Sequence, residues 1–243
     1  MTHRMYGDLA EWWPLFSPVG EYEEEARLFR EALIEYATKK LRTMLELGSG
    51  GGHNAFHLRG CFEMTLVDRS EAMLGQSRKL NPDLPHFAGD MRDVRMEREF
   101  DAVFVHDAIS YMTTREDLRA AMRTAFTHCS SGGVALFVPD ETRERFAPST
   151  SCGGTDDGAR GFRYLEWVWD PDPKDETCVA DYAFLIRENS RDVRVVHERH
   201  QHGVFPRQCW IDMMAEVGFE PHTKVVEHSE LPNGYEFFIG VKS

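Results

Sequence analysis

The chain has 243 residues, 42% of them hydrophobic, enough to bury one real core with a small appended layer. Its 28 Lys and Arg stand against 41 Asp and Glu, a formal net charge of −13, and such a surface repels phosphate backbones and anionic lipid. No broad nucleic-acid or membrane interface is expected, although a local basic pocket for a phosphorylated small molecule stays open.

The five cysteines (Cys61, Cys129, Cys152, Cys178, Cys209) are odd in number, scattered, and form no C-x-x-C pair. They read as reduced thiols, not as a disulfide frame or zinc knuckle. The stretch MTHRMYGDLAEWW lacks the apolar centre of a signal peptide, and no long uncharged apolar run follows. A soluble, cytoplasmic protein is expected.

In chain order, YEEEARLFREALIEYAT (22–38) repeats Ala26, Phe29, Leu33 and Tyr36 at helical spacing, with Glu23 to Glu25 at the end where negative charge is favoured. A strand, TMLELG, follows, then a helix from near His53. FEMTLVD (62–68) reads as a second strand and SEAMLGQSRKL as a helix capped by Ser70. PHFAGD suggests a third strand, FDAVFVHD (100–107) a buried fourth, Arg115 to His128 an amphipathic helix, and VALFVPD a fifth strand after Gly132 and Gly133. Strands alternating with helices imply a parallel sheet covered on both faces.

After Asp140 the pattern changes. GFRYLEWVW, CVADYAFLIRE and VRVVHERHQHGVF are strand-like with no helix between them, the last two joined at Asn189 and Ser190. The expectation is a small antiparallel sheet inserted at 140–205, covering an acceptor site, in a core formed by 1–139 and 206–243. FAPSTSCGGTDDGAR (146–160) reads as a mobile loop. The core resumes with a helix over Gln208 to Val217 and two strands, PHTKVVEH and EFFIGVK, with LPNG (231–234) as the hairpin turn.

The chemistry starts at MLELGSGGGHNAF (44–56). A P-loop needs Lys-Ser/Thr after its last glycine, but Gly52 is followed by His53 and Asn54. A dinucleotide fingerprint needs a glycine where His53 stands. The pattern is acid-x-Gly-x-Gly-x-Gly, Glu46, Gly48, Gly50 and Gly52, which resembles the first motif of class I S-adenosylmethionine-dependent methyltransferases. Glycines let the backbone pass a ribose and a methionyl chain without a Cβ clash. Glu46 can orient the ammonium end, Asp68 can accept two ribose hydroxyls, and Asp90 can accept the adenine amino group with Met91 N–H on the ring.

EYEEEA (21–26), GDMRDV (89–94) and GSGGGH (48–53) narrow the resemblance to the N,N-dimethyltransferases of nucleotide-linked aminosugars. It covers most of the core and the insert through His202 to Phe205. It implies a Rossmann-like sheet ending in an antiparallel hairpin, S-adenosylmethionine as cofactor, and Tyr22, Gly48, Asp68, Asp90, Met91 and His106 as its contacts. Trp13 stands where that family often has tyrosine. His106 and Asp107 also depart from its pattern, and all three lie beside the expected acceptor.

Methyl transfer is an in-line displacement, so positioning and exclusion of water can supply most of the catalysis. An amine acceptor must be neutral to attack. His106, Tyr111 and His202 are the candidate catalytic groups. Trp13, Asp107 and His200 are candidates for holding the acceptor, with Trp12 near Trp13. Trp167 and Trp169 read as core or lid packing. His197, His200 and His202 invite a metal, but alternation puts only His200 and His202 on one face and no metal is expected. Small-molecule methylation at an amine leads. A small-molecule O-methyltransferase and a SAM-binding protein without catalysis are the alternatives, and a homodimer is left open. The Asn-Pro-Pro-Tyr signature of nucleic-acid amino methylases is absent, HDAISY standing in its place.

Overall fold

The computed structural model describes residues 3–189, 192–229 and 231–243. Ahead of the first strand lie a one-turn helix α1 (Trp13–Phe16) and the longer α2 (Glu23–Tyr36), which begins with three glutamates and buries Ala26, Phe29, Ala32 and Leu33 along one stripe. Then follow β1 (Thr43–Leu47), α3 (His53–Leu58), β2 (Glu63–Asp68), α4 (Glu71–Leu80), β3 (His86–Ala88), β4 (Phe100–His106), α5 (Arg115–His128) and β5 (Cys129–Val138). Serine and threonine cap the helices where the sequence places them: Ser70 Oγ accepts from Met73 N at 3.1 Å, and Thr114 Oγ1 accepts from Asp117 N at 3.1 Å.

The insert follows: β6 (Ser149–Gly153), β7 (Asp156–Asp157), β8 (Arg160–Trp169), β9 (Thr177–Arg187) and β10 (Val193–Gly203). The chain closes with α6 (Arg207–Val217), β11 (Glu220–His228) and β12 (Leu231–Val241). The seven-stranded sheet runs β11-β12-β5-β4-β1-β2-β3, parallel from β5 to β3 and antiparallel where β12 meets β5 and β11. One apolar layer joins the sheet to α5 and α6 through Phe100, Met122, Phe137 and Trp210; the other joins it to α2 and α3 through Phe29, Leu58, Phe104 and Phe237. Burying a side chain such as Phe29 contributes about 1.5–3 kcal/mol. The insert forms its own antiparallel sheet, β10-β9-β8-β6, whose inner face packs Phe162, Phe184 and Val196 against Met5, Leu9 and Trp12 of the N-terminal segment.

Three expectations are corrected. Residues 149–153 are an edge strand paired to β8 (Thr150 opposite Trp167), not a loop; exposed along nearly its whole length, it has no apolar alternation to announce it. LPNG is not the hairpin turn: Leu231 already pairs with His228, and Gly234, at φ +64, sits against the Val226 carbonyl in a bulge. Trp167 is not core packing. It is 53% exposed on the outer face of β8 and stacks on Trp169, ring centroids 5.6 Å apart. Of the expected turn at Asn189 and Ser190, Asn189 has φ +52 and Ser190 lies outside the described residues. All five cysteines are free thiols, and among the described residues no helix is long and apolar enough to cross a membrane.

Candidate functional site

The carboxyl ends of the parallel strands open into one cavity of about 820 Å³. β1 delivers Glu46 and the glycine turn, β2 delivers Asp68, the turn after β3 delivers Asp90 and Met91, and β4 delivers His106 and Asp107; all of these line it.

The turn holds Gly48 at φ +76, Gly50 at φ +52 and Gly52 at φ +75, a left-handed run that side chains rarely adopt. A Cβ on Gly48 would stand 2.4 Å from Ala108 Cβ and 2.8 Å from Met91 Cε. The backbone is therefore pressed against the far wall, leaving its other side open. Gly52 does something else. It lies outside the cavity, with Ser77 and Asn81 packed where its side chain would be, and its carbonyl accepts from Asn81 Nδ2 at 2.8 Å. Gly51, not singled out in the sequence, takes its place in the wall, with Trp13 close against it.

Asp68 tightens the turn. Its Oδ2 accepts from Gly50 N at 2.8 Å and its Oδ1 from Ser70 N at 2.7 Å, so each oxygen keeps a lone pair for a vicinal diol. Glu46 is buried at the end of β1 with Oε2 unpartnered, and burial pushes its pKa up to about 8. Ser49 Oγ beside it is also buried without a partner. Two such polar atoms next to a left-handed turn fit the ammonium and carboxylate of an amino-acid end. Asp90 is already engaged: Arg92 donates to it from N at 3.0 Å, Nε at 2.9 Å and Nη2 at 2.7 Å, and this holds its carboxyl below the usual range. Tyr22 lines the cavity with its hydroxyl 2.8 Å from Ser17 Oγ and its ring stacked on His53. The residues fit S-adenosylmethionine.

His106 is buried, 2.8 Å from Asp107 Oδ1 and 3.9 Å from Glu25 Oε2. Burial opposes charge on the ring, but the carboxylates of Asp107 and Glu25 outweigh it and push the pKa up to about 10. A proton on this ring would balance Glu25, which is buried, and Asp107, which is exposed. Asn54 Nδ2 lies 3.1 Å from His106 Nδ1.

At the other end of the cavity stand Trp13, whose Nε1 donates to His53 Nδ1 at 3.0 Å, Tyr111, and Tyr6, which sequence reading missed. Tyr6 comes from a segment without periodicity, placed here because Ser70 Oγ donates to its carbonyl. The two histidines of β10 divide unexpectedly. His200 Nδ1 lies 2.6 Å from Tyr111 Oη. His202, the expected catalytic residue, sets its ring edge-on to Tyr111 at 4.7 Å with Nδ1 3.7 Å from Asp140, outside the cavity wall, and burial pushes its pKa down to about 4. Arg69, Arg199, Gln201 and Thr113 complete the mouth.

Residues 44–133 match the methyltransferase domain family. A dTDP-3-amino-3,4,6-trideoxy-alpha-D-glucopyranose N,N-dimethyltransferase of Streptomyces venezuelae is 34% identical over 86% of this chain and 86% of its own length. The crystal structure of Streptomyces venezuelae DesVI superposes with a TM-score of 0.83 at 24% identity, covering 97% of this chain and 99% of that one. SAM-bound CalS10, an amino pentose methyltransferase of Micromonospora echinaspora, superposes at 0.75 with 20% identity, covering 91% and 92%.

Proposed function

We infer the acceptor of this enzyme from a firm premise: the chain belongs to the class I S-adenosylmethionine-dependent methyltransferases, in the family of the N,N-dimethyltransferases of nucleotide-linked aminosugars. It is a SAM-dependent methyltransferase, and we propose that its acceptor is the amine of a small nucleotide-linked aminosugar. The observation that carries this is the single cavity running from the glycine turn and Asp68 to a wall of Tyr6, Trp13 and Tyr111. Its far end offers aromatic faces and phenols, suited to an amine on a small polar body.

The bound cofactor supplies a methyl group on a sulfonium. Glu46 and Ser49 would hold its amino-acid end, Asp68 its ribose, Asp90 and Met91 its adenine, with Tyr22, Gly48, Gly50 and Gly51 shaping the passage. Trp13, Tyr6 and Tyr111 would fix the amine in line and exclude water. His106 supplies fixed positive charge among Glu25 and Asp107, leaving Asp107 as the carboxylate nearest an incoming ammonium. Residues 140–205 form the cover of the acceptor side in this reading. Incubation with SAM and a panel of aminosugar nucleotides, simple amines, phenols and carboxylates, read by product mass, tests it. Methylation of phenols or carboxylates alone would sink the amine and leave only the SAM-dependent class.

The outer face of the insert exposes Leu165, Trp167, Leu185 and Val195, all on one side of the sheet by their pairing. We propose that this face joins two copies into a homodimer.

A further inference from the structure

The cavity wall shows two phenol hydroxyls that are joined to groups lying behind it. Tyr6 Oη is 2.8 Å from Tyr111 Oη, which is 2.6 Å from His200 Nδ1. On the other edge of the imidazole, Nε2 stands 3.5 Å from Glu198 Oε1, and His3 Nδ1 stands 3.5 Å from that same oxygen. His200 is 1% exposed and Glu198 7%, and neither lines the cavity. Tyr182 on β9, Glu166 on β8 and His202 on β10 also face the His200 ring.

The directions of donation are fixed by Glu198. Burial works against its charge, but His200, His3 and the Met5 N–H outweigh it and hold the carboxyl well below its usual range. An ionised carboxylate 3.5 Å from Nε2 favours the ring proton on that side by its charge, without a hydrogen bond, and this leaves Nδ1 to accept from the Tyr111 hydroxyl. Burial keeps His200 neutral by holding its pKa below the ordinary value. The two phenol hydroxyls therefore donate away from the cavity, Tyr6 to Tyr111 and Tyr111 to His200.

His3, Glu198 and His200 together have the composition of a metal site. The two imidazoles are tilted, centroids 3.9 Å apart and planes 34° apart, with His3 Nδ1 and His200 Nε2 each 3.5 Å from Glu198 Oε1, so a metal there would have to displace that carboxylate from its present bonds. Glu198 is also committed to the backbone N–H groups of Arg4 and Met5.

We propose that His200, acting through Tyr111, receives the proton released when the acceptor amine is methylated, and that Glu198 is the positioning residue that fixes His200 for this. This rests on the amine reading of the acceptor. Attack by the neutral amine forms a carbon–nitrogen bond as the methyl–sulfur bond breaks, leaving an ammonium. That ammonium passes a proton to Tyr111 Oη as the Tyr111 hydroxyl proton passes to His200 Nδ1, and no electrons are gained or lost. The resulting imidazolium faces ionised Glu198. The acceptor nitrogen is neutral again, the form a second methylation of the same atom requires. His3, whose Nδ1 stands 3.5 Å from the same Glu198 oxygen and whose side chain is 29% exposed, connects that carboxylate to solvent, where the proton leaves.

The test uses the full-length enzyme with SAM and a dTDP-linked 3-amino sugar, following mono- and dimethylated product by mass across the neutral pH range. Glu198→Gln should lower kcat about tenfold with KM kept within about twofold. It should stall product at the monomethyl stage and move the acid limb of kcat to lower pH, because His200 loses its neighbouring negative charge. Glu198→Asp should restore part of the rate. Tyr111→Phe breaks the middle link while leaving the Glu198 bonds to Arg4 and Met5 in place, and should show the same stall, with S-adenosylhomocysteine affinity unchanged. A wild-type product ratio and pH profile in both variants would overturn the proposal, as would a matching loss of S-adenosylhomocysteine affinity. A wild-type enzyme inactive on every aminosugar nucleotide would instead overturn the acceptor reading, and shows before any variant is made.

Discussion

Gly48 is the residue on which the cofactor side turns. Its φ of +76 and a virtual Cβ only 2.4 Å from Ala108 Cβ leave no room for alanine. Gly48→Ala should cost about 1–3 kcal/mol in backbone strain, lowering the thermal midpoint, and weaken SAM binding about tenfold or more in calorimetry. Asp68→Ala should weaken SAM by about 1–3 kcal/mol by stranding two ribose hydroxyls and freeing the Gly50 N–H. Glu46 gives a pH signature. Its folded pKa, about 8, lies above its ordinary 4.5, so the stability it allows is fully present below about 4.5 and is lost as pH rises through 8. An ammonium bound beside it favours the carboxylate, so SAM binding near neutral pH should release a proton. Titrations in buffers of differing ionisation enthalpy read that release, and a binding heat independent of buffer would refute it. Glu46 and Asp68 were legible because each ends a strand recognisable on its own. Tyr6 and Glu198 were not, because the hydrogen bonds of Glu198 to Arg4 and Met5 span nearly the whole chain.

Among elements, α4 shows how a local signal acquires a distant task. Ser70 was readable as its cap, and the structure adds that the same hydroxyl donates to the Tyr6 carbonyl while accepting from Met73 N. Ser70→Ala should therefore cost about 1 kcal/mol in a urea melt for the cap. It should also raise amide exchange in residues 4–9 and lower turnover without abolishing SAM binding. An α4 destabilised with the N-terminal segment still protected would separate the two roles. The parallel strands were legible as near-continuous apolar runs, since a strand covered on both faces has no polar side to show. β6 was not, because its partner β8 supplies the order its own composition lacks. LPNG misled for a related reason: Gly234 serves a bulge within a strand that the Val226 carbonyl closes.

At the scale of the whole molecule the alternation of strands and helices specified the core, while the proposed dimer would use a surface that sequence pattern misread. Trp167 looked like packing, and alternation along β8 puts it outward with Leu165, beside Leu185 and Val195 of the neighbouring strands. The face also carries charge of both signs: Asp181, opposite Trp167, pairs with Arg199 and His197 within it, and Arg163 and Arg187 meet Asp156 toward one end. Two copies related by a twofold axis would cover Leu165, Trp167, Leu185 and Val195 on both, enclosing the already paired Asp181 and Arg199 and leaving Asp156 and its arginines at the rim. Arg199 and Gln201 at the cavity mouth belong to the same side of β10, so the partner would come close to the acceptor opening. Sedimentation at micromolar concentration should show a dimer. Trp167→Glu should weaken it by at least about 2 kcal/mol, as expected for a large aromatic at the centre of an interface. SAM affinity should stay unchanged, because every proposed cofactor contact lies outside the insert, while KM for the acceptor should rise. A monomeric wild type would refute the dimer; a dimer that survives Trp167→Glu would place its interface elsewhere.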